Sequence, residues 1–92
     1  MYRIEYGNKF KRSYENILHS GKVKIDDLNE VVRMLAMCEQ LPIKFKDHSL
    51  KGDMLGYREC HLKGDCLLIY EIRTSTEAIR LINIGNHANL FE

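Results

Sequence analysis

Apolar and polar positions alternate over residues 2–6. Tyr2, Ile4 and Tyr6 fall on one face with charges between them, the pattern of a half-buried strand. Beyond Asn8, a good helix-capping residue, Phe10, Tyr14, Ile17 and Leu18 recur at helical spacing until Ser20 and Gly21, which predicts a first helix. A second apolar stripe, Leu28, Val31, Val32, Leu35 and Cys38, follows Asp26 and Asp27. Asp27 and Glu30 have capping-box spacing, and this helix must stop before Pro42. Residues 42–56 lose the periodicity and read as irregular, with Pro42, Gly52, Gly56 and scattered lysines. Alternation resumes over 57–62, Lys63-Gly64-Asp65 signals a tight turn, and 66–72 is a near-continuous apolar run, as a central strand requires. Thr74-Ser75-Thr76 turns the chain into a last apolar strand over 78–84. Gly85 ends it, and residues 86–92 remain as a tail.

The order strand, helix, helix, strand, strand, strand predicts an α+β fold, with two N-terminal helices packed on a small antiparallel sheet. With 92 residues and no repeat or linker, the chain reads as one domain over 1–92. A hydrophobic fraction of 45% argues against disorder, and no apolar run of about 20 residues exists to span a membrane. The N-terminus is no signal peptide. Three cysteines without an export signal point to reduced thiols and a cytoplasmic protein.

The net charge of +1 conceals a division. Residues 1–46 carry nine Lys/Arg against six Asp/Glu, whereas residues 47–92 carry five against seven. Lys9, Lys11, Arg12, Lys22 and Lys24 are the densest basic stretch, and His48, His61 and His87 all lie in the acidic half. Such segregation suits a surface that grips a polyanion beside another that does chemistry, although a basic helix face is more often simply solvated. His61 ends a predicted strand and Asp65 follows the turn. His48 and His87 flank the hairpins, so the four can meet at one rim as an acid–base set working near neutral pH. Phe91, beside the C-terminus, either docks on the core or stacks on a base.

A zinc site from Cys60, His61 and Cys66 is disfavoured. Cys60 and His61 are strand neighbours on opposite faces, no CxxC pair occurs, and Cys66, like Cys38, reads as a core residue. Phosphate-binding glycine loops and nucleophile elbows are missing as well. No metal and no cofactor are therefore expected.

The segments Leu41-Pro42, Asp47-His48-Ser49-Leu50-Lys51-Gly52, Gly56-Tyr57-Arg58-Glu59-Cys60-His61-Leu62, Asp65-Cys66-Leu67-Leu68-Ile69-Tyr70 and Gly85-Asn86-His87-Ala88-Asn89-Leu90-Phe91, in that order and spacing, resemble the YafQ branch of the RelE/ParE toxin superfamily. The resemblance implies a type II toxin that cleaves mRNA in the ribosomal A site without a metal. A cognate, DinJ-like antitoxin would hold it inactive, and operator DNA would be met only through that antitoxin. It also implies catalytic roles for His48, His61, Asp65, His87 and Phe91. His48 and His87 would be general base and general acid, in that order or the reverse. His61 and Asp65 would position the phosphate, and Phe91 would stack on a base. Lys9, Lys11, Arg12, Lys22 and Lys24 would face ribosomal RNA. Arg58 could add charge at the phosphate, although its strand parity opposes that of His61. One departure stands out: many relatives carry a basic residue where this chain has Asn83. Two other readings share the fold, a ParE-like gyrase-binding toxin and a silent member that acts only in antitoxin-bound operon repression. The gyrase-binding reading would not explain the His/Asp set.

Overall fold

The computed structural model describes residues 1–20, 25–62 and 65–91, the side chains of Ser20, Asn89 and Phe91 excepted. Along the chain run β1 (Arg3–Tyr6), α1 (Asn8–Ser20), α2 (Ile25–Ala36), β2 (His48–Ser49), β3 (Arg58–His61), β4 (Leu67–Arg73), β5 (Ala78–Gly85) and α3 (His87–Phe91). Short 3-10 turns occupy Ile43–Phe45 and Gly52–Met54 within the segment expected to be irregular. The strands form one sheet in the order β1-β5-β4-β3-β2.

The α+β class agrees with the sequence, but the sheet is mixed, not antiparallel throughout. β1 runs parallel to β5, and the other neighbours are antiparallel. A parallel neighbour needs a long crossover, and the two helices after β1 supply its length. Two elements were not expected: β2, only two residues long, and α3, formed by the predicted tail. Gly21, Lys22, Lys24 and the Lys63-Gly64 half of the expected turn lie outside the described residues.

β4 is central, and Leu67, Leu68, Ile69 and Tyr70 are buried in succession, so both of its faces are covered. Phe10 of α1 and Leu28, Val31 and Leu35 of α2 close the core against Ile79 and Leu81. In β5 the alternation is interrupted by a bulge: Ile69 pairs with Asn83 but Tyr70 pairs with Leu81, which leaves Ile82 as the extra residue. The parity change lets Ile84 join Ile79 and Leu81 in the core and turns Asn83 to the other face.

Cys38 departs from the expected apolar stripe. α2 ends at Ala36, and Cys38 sits beyond it at φ 59°, exposed. The Glu39 amide donates to Met34 O (2.9 Å) and the Cys38 amide to Leu35 O (3.0 Å), a Schellman ending in which Cys38 fills the left-handed position.

Gly7 joins β1 to α1. Its amide donates to Leu81 O at 2.9 Å, and a Cβ there would lie 2.9 Å from the same oxygen. Gly7→Ala should therefore destabilise the fold by about 1–3 kcal/mol through overpacking against backbone. The check is the urea midpoint, which would stay unchanged if the junction could relax.

Candidate active site

β2 and β3 pair with His48 opposite Glu59 and Ser49 opposite Arg58. Side chains alternate along β3, so Glu59 and His61 share a face while Arg58 and Cys60 take the other. The two rules together bring three titratable groups to one point. His48 Nε2 lies 3.3 Å and His61 Nε2 3.5 Å from the same oxygen, Oε1 of Glu59. The Glu59 side chain is only 8% exposed, against 49% for His48 and 35% for His61. A carboxylate so withdrawn from water needs compensating donors, and the imidazoles provide them.

The His48 ring is fixed from both ends. Its Nδ1 is 2.8 Å from Lys46 O, and because a carbonyl only accepts, Nδ1 carries the hydrogen and donates it. Nε2 then faces Oε1 of Glu59 at 3.3 Å. Both ring nitrogens of His48 are thereby engaged, Nδ1 by the Lys46 carbonyl and Nε2 by the Glu59 carboxyl. The acceptor of the cluster is Glu59.

The same three ligand atoms lie within 4.8 Å of one another, close enough to surround one ion at ordinary metal–nitrogen and metal–oxygen distances. Two imidazoles and a carboxylate suit zinc or copper. The cysteine-containing set weighed from sequence does not form. Cys60 and Cys66 are buried, and burial first, then nearby carboxylates, pushes their thiols up to about 12 and about 11, so both stay protonated.

Across the sheet, Glu59, Ile69 and Asn83 form one row, and His61, Leu67 and Gly85 form the next. Asn83 thus lies on the Glu59 face, two strands away, roughly 10 Å at ordinary strand spacing. Its carboxamide oxygen accepts from Ser13 Oγ (2.7 Å) and from the Ile84 amide (2.9 Å). A cavity of about 500 Å³ opens there, lined in part by Ser13, Asp65, Asn83, Gly85 and Asn86. Asp65 is exposed at its edge, and His87, also exposed, starts α3 immediately after Asn86. Of the expected site residues, His48 and His61 meet directly through Glu59, whereas Asp65 lines the cavity and His87 directly follows Asn86 of its lining. The backbone of Phe91 ends α3, and its side chain is outside the described residues. Lys9, Lys11 and Arg12 are exposed on α1. The Arg58 guanidinium turns to the opposite face and donates to Asp47. Glu59 was not singled out from sequence, although its two-residue spacing from His61 signalled a shared face.

A small sheet of this order, with two N-terminal helices and a titratable rim, places the chain in the RelE/ParE-like class of microbial toxin folds. The chain belongs to the YafQ family, bacterial toxins of type II toxin–antitoxin systems, whose sequence profile matches residues 2–92. It is 29% identical over 92 residues to the mRNA interferase toxin YafQ of Escherichia coli K12, covering 96% of this chain and 94% of that one. Among solved structures it is similar to a metal-bound toxin from Helicobacter pylori, with TM-score 0.89, 40% identity and coverage of 99% and 100%. It is also similar to YafQ in the E. coli DinJ–YafQ toxin–antitoxin complex, with TM-score 0.85, 30% identity and full coverage of both chains.

The burial of Cys60 and Cys66, beside an exposed Cys38, sets a thiol count. A disulfide-exchange reagent at pH 8 should label one thiol per native chain and three in denaturant. Fast labelling of more than one in the native protein would contradict the burial.

Proposed function

We propose that this chain is an mRNA endoribonuclease that works in the ribosomal A site, with Glu59 as the base. The observation that carries this reading is the Glu59 carboxylate held between two imidazoles on an open sheet face. RNA supplies its own nucleophile. The 2′-oxygen forms a bond to the adjacent phosphorus, and its proton passes to Glu59. The P–O5′ bond breaks, and the departing 5′-oxygen takes a proton from His87. The products are a 2′,3′-cyclic phosphate and a 5′-hydroxyl. As hydrogen-bond donors, His48 and His61 offset the charge that gathers on the phosphorane. This work falls to them because Asn83 provides no cation and is bonded to Ser13. Asp65 and Phe91 orient the nucleotides on either side of the cut, and Lys9, Lys11 and Arg12 face ribosomal RNA.

The base assigned here differs from the sequence expectation, which gave His48 and His87 the two proton transfers. The double engagement of the His48 ring supports the change. The cleavage is metal-free in this reading. An ion held by His48, Glu59 and His61 would engage the lone pair that must accept the 2′-proton. The partner is a DinJ-like antitoxin, and the compartment is the cytoplasm. Among the described residues no helix is long and apolar enough to cross a membrane.

Glu59→Gln keeps the shape but removes the basic carboxylate, and His87→Ala removes the acid. Each should lower cleavage of ribosome-bound mRNA by about 100-fold or more. A variant that cuts at the native rate would remove its residue from the mechanism. EDTA should leave cleavage intact where ribosome integrity is controlled, and excess copper(II), the tightest-binding of the common divalent ions, should suppress it. Loss of activity under chelation would reverse the metal-free assignment.

A further inference from the structure

β2 is poorly equipped to hold itself. It has two residues, lies at the sheet edge, and pairs only at His48 and Ser49. Its flanking backbone bond is Leu50 N to Tyr57 O, 2.9 Å. Yet the position of His48 over Glu59 depends on this strand.

The residue before His48 is anchored on the opposite face of the sheet. Asp47 accepts from the Arg58 guanidinium through Oδ2 at 2.8 Å and from the Tyr70 hydroxyl through Oδ1. Arg58 on β3 and Tyr70 on β4 are directly paired in register, so a single carboxylate is tied to two adjacent strands. Tyr70 is 1% exposed and cannot swing away. We propose that Asp47, Arg58 and Tyr70 form a positioning clamp that pins β2 from one face so that His48 is presented to Glu59 on the other. The proposal rests on the reading of His48 as part of the cleavage site.

The chemistry of the three groups fits the task. Each Asp47 oxygen has its own donor, and a carboxylate bonded by a guanidinium is among the stronger hydrogen-bonded pairs. Burial, and then Asp47 itself, pushes the Tyr70 hydroxyl above its ordinary range, so it remains a donor throughout the neutral range. The bond to Asp47 keeps Arg58 charged. The two anchors act on consecutive residues from opposite sides: the clamp on Asp47, and the Lys46 carbonyl on the His48 ring. Lys46 lies in the left-handed region at φ 49°, which turns the chain into β2 immediately before the clamp.

The test uses purified toxin, ribosome-bound mRNA, and the variants Asp47→Asn, Tyr70→Phe and His48→Ala. Asp47→Asn should lower kcat by about 10- to 100-fold with KM within about twofold, because a misplaced group costs turnover more than binding. Exchange of the Leu50 amide should quicken by about tenfold or more, while the β4–β5 amides keep native rates, the signature of local rather than global opening. Tyr70→Phe retains the buried ring and should show the same split in milder form, so the clamp stays testable if Asp47→Asn does not fold. Native kcat in a folded Asp47→Asn or Tyr70→Phe variant would overturn the proposal. So would an acceleration of all amides together, since that marks a purely structural role. His48→Ala separates this failure from failure of the site: if that variant cuts at the native rate, His48 has no part in cleavage. Leu50 exchange in Tyr70→Phe still judges whether the clamp holds β2.

Discussion

A carboxylate withdrawn from water between two imidazoles is the constraint around which the rim of this protein is organised. Left unpaired, buried Glu59 would cost several kcal/mol. His48 and His61 compensate it, and in doing so they are themselves oriented. The cost is met by the same contacts that, in the proposed mechanism, ready the cluster for proton transfer. Here both imidazoles stay partly exposed while the carboxylate they compensate is nearly buried.

Much of the frame is legible in the sequence because hydrophobic period speaks directly to element type. The unbroken apolar run of β4, the alternation of β3 and the stripes of Phe10 and Val31 all mark their elements. The legibility fails where a tertiary pairing decides the outcome. Two residues at His48–Ser49 carry no period of their own and become a strand only because β3 offers an edge. The bulge at Ile82 has no glycine to announce it, yet it turns Asn83 toward the Glu59 face. Cys38 looked like the next position of a helical stripe, but a Schellman ending put it outside. The parallel pairing of β1 with β5 joins segments more than seventy positions apart, beyond the reach of local pattern.

The candidate site was legible in part and for a definite reason. His48, His61, Asp65 and His87 announce themselves by residue type and by the segments that resemble YafQ relatives. Glu59 does not, since one glutamate on a short strand looks like surface charge. Only the cross-strand register, with His48 opposite and His61 two residues on, shows it as the shared partner. Arg58 illustrates the converse. A cation on the same strand as His61 suggests a phosphate contact, but strand parity sends it to the far face, where it meets Asp47. One strand, β3, thus presents the Glu59–His61 cluster on one face and the Arg58–Asp47 pair on the other.

The central claim, that Glu59 receives the proton of the attacking hydroxyl, is tested most directly by a structure of the protein on the ribosome with an uncleavable 2′-O-methyl mRNA. The account predicts the 2′-oxygen at about 3 Å from the Glu59 carboxylate, with His48 still in contact with that carboxylate. A 2′-oxygen seated against another side chain, with Glu59 out of reach beneath the histidines, would contradict it.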